Sequence, residues 1–168
     1  MFFRAGRAAR GGTLRASATE AARMTTVARP QSVVIDESHR PLLLVRFVGN
    51  VSEADFRGYI DAMTANLARR EKTVVIIDSR SAQPPSAASR KLQADWMAAY
   101  EAELRAHTIG LAMVMSQPIH RAVLTALLWV RPLPCPHTVV PTMFEAVDWA
   151  RARFREAGVP FHFEGVLV

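Results

Sequence analysis

Few residues in this chain are placed for chemistry. Asp78 ends a β-branched run at 73–78 (TVVIID), and Ser79 follows it directly. Where strands and helices alternate, ligands bind just beyond the carboxyl ends of strands, so this acid and hydroxyl mark a candidate switch or ligand loop. Ser86 and Ser89 open the next helical segment. A phosphate on either would meet free backbone amides and the positive end of a helix. The structural alternative is that Ser86 or Ser89 caps the helix and Asp78 orders the loop, since serine is a preferred N-cap. Both readings stand at this point.

Other chemistries find little in the sequence. The histidines are His39, His107, His120, His137 and His162, and none pairs with a helical glutamate in an HExxH pattern. No metal or other cofactor is therefore expected. There is no Gly-x-Ser-x-Gly, so a hydrolase built on Asp78 and Ser79 lacks its nucleophile elbow, and no catalytic residue is assigned. Gly-x-Gly-x-x-Gly and Walker A patterns are also absent, which leaves nucleotide binding by those routes unsupported. The lone Cys135 sits between Pro134 and Pro136 and reads as an inert thiol. A single cysteine rules out a disulfide scaffold and a cysteine-built zinc site. The expectation is a protein that is not an enzyme.

The segment 118–130 is more informative. Ile119, Val123, Ala126, Leu127 and Val130 would make a core stripe at helical spacing. Leu124, Leu128 and Trp129 widen the apolar arc well beyond it. A helix apolar nearly all round is buried or covered by a partner. These three residues are candidates for packing under the C-terminal segment 161–168, for a homodimer or protein-partner face, or for a small apolar ligand pocket.

The elements around these residues follow from periodicity and punctuation. Residues 32–37 and 42–48 read as a hairpin. Ser52 with Asp55 approximates a capping box, followed by the stripe Phe56, Tyr59, Ile60, Met63 and Leu67. The run 73–78 reads as a strand covered on both faces, and 79–85 (SRSAQPP) breaks the chain. One helix is expected over 86–106, then a buried strand at 108–115 and the helix at 118–130. After a stiff proline connector, 137–140 forms a short strand. Thr142 and Glu145 make a capping box ahead of Met143, Val147, Ala150 and Phe154, and Gly158 with Pro160 ends that helix. Residues 161–168 add an edge strand or dock. The order ββαβαβαβα implies an α/β fold, a mainly parallel or mixed sheet packed with about four helices.

Composition sets the frame. The chain has 168 residues, 50% of them hydrophobic, which suits one domain with a buried core. Its formal charge is +6, which raises the question of nucleic acid. Arg4, Arg7, Arg10, Arg15 and Arg23 stand against the single acid Glu20 at the start, so four of those charges sit in the first 25 residues. The remainder is nearly balanced and shows no basic stripe with aromatics, which argues against nucleic-acid binding. Residues 1–28 read as a disordered Arg/Ala-rich extension, with a transit peptide or a start at Met24 as alternatives, and the domain as 32–168. No transmembrane segment is expected, since no stretch approaches eighteen consecutive apolar residues. With no secretory core either, the expected location is the cytoplasm.

The element order over 32–157, together with Ile77-Asp78-Ser79 ahead of a helix, resembles the STAS family, also called SpoIIAA-like or anti-sigma-factor-antagonist-like. Members present a phosphorylatable serine or threonine near this point, before a helix that docks on a partner. The resemblance implies a switch at Ser79, Ser86 or Ser89 and a non-enzymatic signalling role through a protein partner. In the family's short turn an acid is followed by two hydroxyl residues and a glycine; here a longer Ser/Pro segment, 79–86, takes its place. A more remote SpoIIAA-like branch with lipid-associated members is similar to the same degree, and it implies an apolar ligand.

Overall fold

The computed structural model describes residues 32–130 and 132–161. The expected extension at 1–28 and most of the segment 161–168 lie outside the described residues. Ten elements follow in order: β1 (Val33–Asp36), β2 (Leu42–Gly49), α1 (Glu53–Ala68), β3 (Thr73–Ala82), α2 (Ala87–Ala99), α3 (Glu101–His107), β4 (Thr108–Val114), α4 (Pro118–Val130), β5 (His137–Val140) and α5 (Met143–Glu156). The five strands form one sheet in the order β1-β2-β3-β4-β5. β1 pairs antiparallel with β2, and every other pairing is parallel.

Local signals place most boundaries. Ser52 Oγ accepts the Asp55 amide at 3.1 Å, and Thr142 Oγ1 accepts the Glu145 amide at 3.2 Å. Each satisfies an amide that the first helical turn leaves free, worth about 1 kcal/mol. The Asp55 carboxylate also accepts the Ser32 hydroxyl at 2.6 Å, which ties α1 to the start of β1. At the end of α5, Val159 N donates to Phe154 O and Gly158 N to Arg155 O, with Gly158 at φ 65°. This is a Schellman motif, and glycine takes the left-handed position without a Cβ penalty.

The sheet has an apolar core on each side. On one face Leu42, Val74, Ile76, Ala112 and Val114 pack against Met143, Ala146, Val147, Ala150 and Phe154 of α5. On the other, Leu43, Val45, Phe47 and Val75 pack against Phe56, Tyr59, Ile60 and Met63 of α1. β-strand alternation sends successive side chains to opposite cores. At Gly110 the α5 side comes very close: a Cβ built there would lie 2.8 Å from Trp149 Cζ3 and 2.9 Å from Arg153 Cγ.

Three expectations are corrected. First, β3 does not stop at Asp78 but runs on through Ser79–Ala82, because Val48 and Gly49 of β2 pair with Ser81 and Ala82 beyond a bulge. Second, the single helix over 86–106 is two. Tyr100 leaves helical geometry at φ −113°, ψ 25°, and starts α3. Third, the stripe expected to bury α4 faces outward: Ile119 is 65% exposed and Val123 53%. Ala126 is exposed as well. The side chains of Leu127, Trp129 and Val130 fall outside the described residues.

Candidate functional site

Asp78 and Ser79 are neighbours in sequence, yet the sheet separates them. Val74 and Ile76 belong to the α5-side core, and Asp78 continues that face. Val75 and Ile77 face the α1 side, and Ser79 continues there, lining a cavity. The Asp78 carboxylate is held by Arg80 through Nε and Nη2, both at 2.9 Å, and by the Arg80 amide at 3.1 Å. Arg46, opposite it on β2, adds an ion pair at 3.4 Å. Burial alone would raise the Asp78 pKa. The Arg80 hydrogen bonds, with the charges of Arg80 and Arg46, outweigh that and hold it below the usual carboxylate range. Such a group is a poor proton acceptor at neutral pH.

The lowered pKa has a sign for stability. The unfolded-state carboxyl protonates first as pH falls, so the contribution of Asp78 is fully present above the ordinary carboxylate pKa. It is lost as pH drops through the lower folded-state value. Urea midpoints followed from neutral to strongly acidic pH should decline more steeply for the wild type than for Asp78→Asn. Parallel curves would show that this carboxylate carries no linkage.

Ser86 and Ser89 form the cap of α2. Ser86 Oγ accepts the Ser89 amide at 3.0 Å and donates to Ser89 Oγ at 3.1 Å. Ser86 itself is exposed, while Ser89 is 2% exposed. The cap geometry satisfies the structural reading of these residues. Of the two, Ser86 is the one whose hydroxyl a modifying enzyme can reach without opening the helix start.

Leu124 and Leu128 point inward. They close an apolar chamber of about 370 Å³ between the sheet and α1, α2 and α4. Its floor is Val75 and Ile77 of β3 with Leu111 and Met113 of β4. Phe56, Tyr59, Met63 and Leu67 make the α1 wall, and Trp96 and Met97 the α2 wall. Leu133, Pro134 and Cys135 close one end. Trp96 Nε1 donates to Thr64 Oγ1 at 2.9 Å, and that hydroxyl donates to Ile60 O at 2.9 Å, so α2 is fastened to α1 across the chamber edge. Burial pushes the Cys135 thiol up to about 11, which agrees with an unreactive side chain. β4 shows what the chamber does to packing: Ala112 and Val114 are buried against α5, whereas Leu111 and Met113 remain half-exposed.

A second cavity of about 290 Å³ lies beyond the carboxyl ends of β3 and β4. Ser79, Gln83, Ser116, Gln117 and His120 supply polar groups over Phe47, Val51 and Phe56, and Arg80, its guanidinium already paired with Asp78, also lines the cavity. Phe47, Phe56 and Pro85 line both cavities, so the two adjoin. Ser79 and His120 meet here without a lining carboxylate that could orient a histidine base, so the triad geometry of a hydrolase is not assembled. Among the described residues no three His, Cys, Asp or Glu side chains are grouped to hold a metal. Nor is any helix among them long and apolar enough to cross a membrane.

The sequence singled out Leu124 and Leu128 and offered a small apolar pocket as one of their uses, but it did not identify the chamber's other walls. Those walls come from segments far apart in the chain, which periodicity within one segment does not connect. The one local signal is the surplus of apolar residues on α4 beyond those a single packed face can use.

No protein-family model and no curated protein matches this chain. Among solved structures it is similar to an uncharacterised protein of the DUF3478 family with a SpoIIAA-like fold, from Shewanella loihica PV-4. The TM-score is 0.56 at 15% identity, over 70% of this chain and 90% of that one. An anti-sigma factor antagonist from Mycobacterium paratuberculosis gives a TM-score of 0.48 at 18% identity, over 73% of this chain and 97% of that one. The first likeness shows the fold: this chain has the SpoIIAA-like architecture expected from its element order.

Proposed function

We propose that this SpoIIAA-like domain is a non-catalytic regulatory module that works by binding, and that what it binds is a small apolar ligand held between the sheet and α1, α2 and α4. The chamber carries this reading. A well-packed domain leaves few voids larger than a water molecule. Here about 370 Å³ is walled almost entirely by aliphatic, aromatic and thioether groups, within the range of about 300–1,000 Å³ typical of small-molecule sites. The test is saturable binding of the neutral apolar probe N-phenyl-1-naphthylamine, followed by fluorescence. Leu111→Trp, which fills the floor from β4, should weaken it at least tenfold with the far-ultraviolet circular dichroism unchanged. A wild type without saturable binding, or a folded variant that binds as well, would overturn the reading.

A protein-interaction role is the second reading, favoured by the outer face of α4. Ile119 and Val123 are exposed there while Leu124 and Leu128 of the same helix touch the chamber. A ligand under α4 would thereby be felt at a face open to a protein partner or a second copy. The serines at 79 and 86 remain the proposed switch positions of such a module. For self-association, the wild type should sediment as a dimer and Val123→Asp as a monomer. A wild type that stays monomeric at high concentration removes the homodimer.

A further inference from the structure

We propose that the chamber's ligand is a single-chain amphiphile with an anionic head, and that Arg90 is the residue that selects that head. The inference rests on the apolar-ligand reading and adds the chemical class. Among the described residues that line the chamber, Arg90 is the only charged one. It stands exposed in the first turn of α2, at the chamber rim.

Its guanidinium is positioned but not neutralised. Arg90 Nη1 donates to Pro85 O at 2.7 Å, which anchors the head of a long side chain. No ion pair joins Arg90 to a carboxylate among the described residues, in contrast to Arg40, Arg80, Arg105, Arg151 and Arg153. Nε and Nη2 remain as donors. The anchor residue matters too, because Pro85 lines both cavities, so the cation is fixed at the junction where the apolar chamber gives way to the polar one.

An amphiphile fits this arrangement in one orientation. Its chain enters the chamber, where apolar burial is the driving term. Its head stays at the junction, half in water, and pairs with Arg90. A carboxylate suits a guanidinium by geometry as well as charge, because two parallel N–H donors meet two oxygens. A cationic head would face Arg90 with no lining carboxylate in either cavity to offset the repulsion. The chamber volume, near the low end for ligand sites, suits one chain rather than two.

The probes are dodecanoate, 1-dodecanol and dodecylammonium below their aggregation limits, with binding to the full chain measured by calorimetry. Dodecanoate should bind the wild type at least tenfold tighter than dodecanol, and dodecylammonium weakest of the three. Arg90→Gln should remove the dodecanoate advantage while leaving dodecanol affinity within about twofold; Arg90→Lys should restore part of it. Equal affinity for dodecanoate and dodecanol, or an advantage that survives in Arg90→Gln, would overturn the proposal and leave the apolar-ligand reading standing. Binding of none of the three would overturn both.

Discussion

Phe154→Ala is expected to lower folding stability by about 3–5 kcal/mol, the range seen when a large buried aromatic is cut back to a methyl. Phe154 is 1% exposed and is the largest fully buried side chain of the described residues. Its ring stacks on Phe161 at a centroid distance of 4.4 Å and packs with Val74, Ile76 and Ala112 of the sheet. It also holds the end of its own helix, because the Phe154 carbonyl accepts Val159 N in the Schellman motif and Val159 packs against the same core. Truncation would leave a cavity where α5 meets β3 and β4 and loosen the C-terminal stop. Domains of this size have about 5–15 kcal/mol in all, so the variant should be marginal at physiological temperature. Urea unfolding followed by circular dichroism measures it. A loss below about 1 kcal/mol would mean that this core is not the one that holds the sheet.

Gly110→Ala comes next, with an expected loss of about 1–3 kcal/mol from overpacking. The added methyl would sit within 3.0 Å of two atoms of the Trp149 ring and of the Arg153 Cγ. Neither is the free end of a flexible chain. The indole is wedged between β4 and the Arg153 guanidinium, which lies 5.5 Å from its ring centre. Relief requires α5 to lift from the sheet, and Ala146, Ala150 and Phe154 would move with it. The substitution would also stabilise by about 0.4–1 kcal/mol through a less flexible unfolded chain, so the net effect is smaller than the clash alone. The urea midpoint should fall with an unchanged slope. A midpoint at or above wild type would show that Trp149 can turn aside cheaply.

What was legible in the sequence was what is decided within a few residues. Ser52, Thr142 and Gly158 mark helix ends because their own side chains or dihedrals satisfy nearby backbone groups. The β-branched runs marked the central strands for the same reason. The continuation of β3 through Ser79–Ala82 was not legible, since those residues carry no strand pattern and are extended only because β2 pairs with them. The break at Tyr100 was hidden by a four-residue apolar step that runs unbroken through Leu92, Trp96, Tyr100 and Leu104. In α4 the failure was one of phase. A helix apolar nearly all round buries its widest stripe no more readily than another, and here Leu124 and Leu128 turned in while Ile119 and Val123 turned out. Asp78 and Ser79 were found as residues, but their opposite facing was not legible, because a strand that keeps going places neighbours on opposite faces.

The last helix has a consequence for how the chain comes into being. Among the described residues every strand precedes α5 in the chain, yet α5 supplies the helical cover on one face of the sheet. Until Met143–Glu156 has emerged, Leu42, Val74, Ile76, Ala112 and Val114 lack the helix that covers them among the described residues. A nascent chain halted before that point carries half a core turned to water, and with it a sticky parallel sheet. Completion of this side of the sheet therefore waits on α5, and a chain interrupted before Met143 is the form most exposed to aggregation.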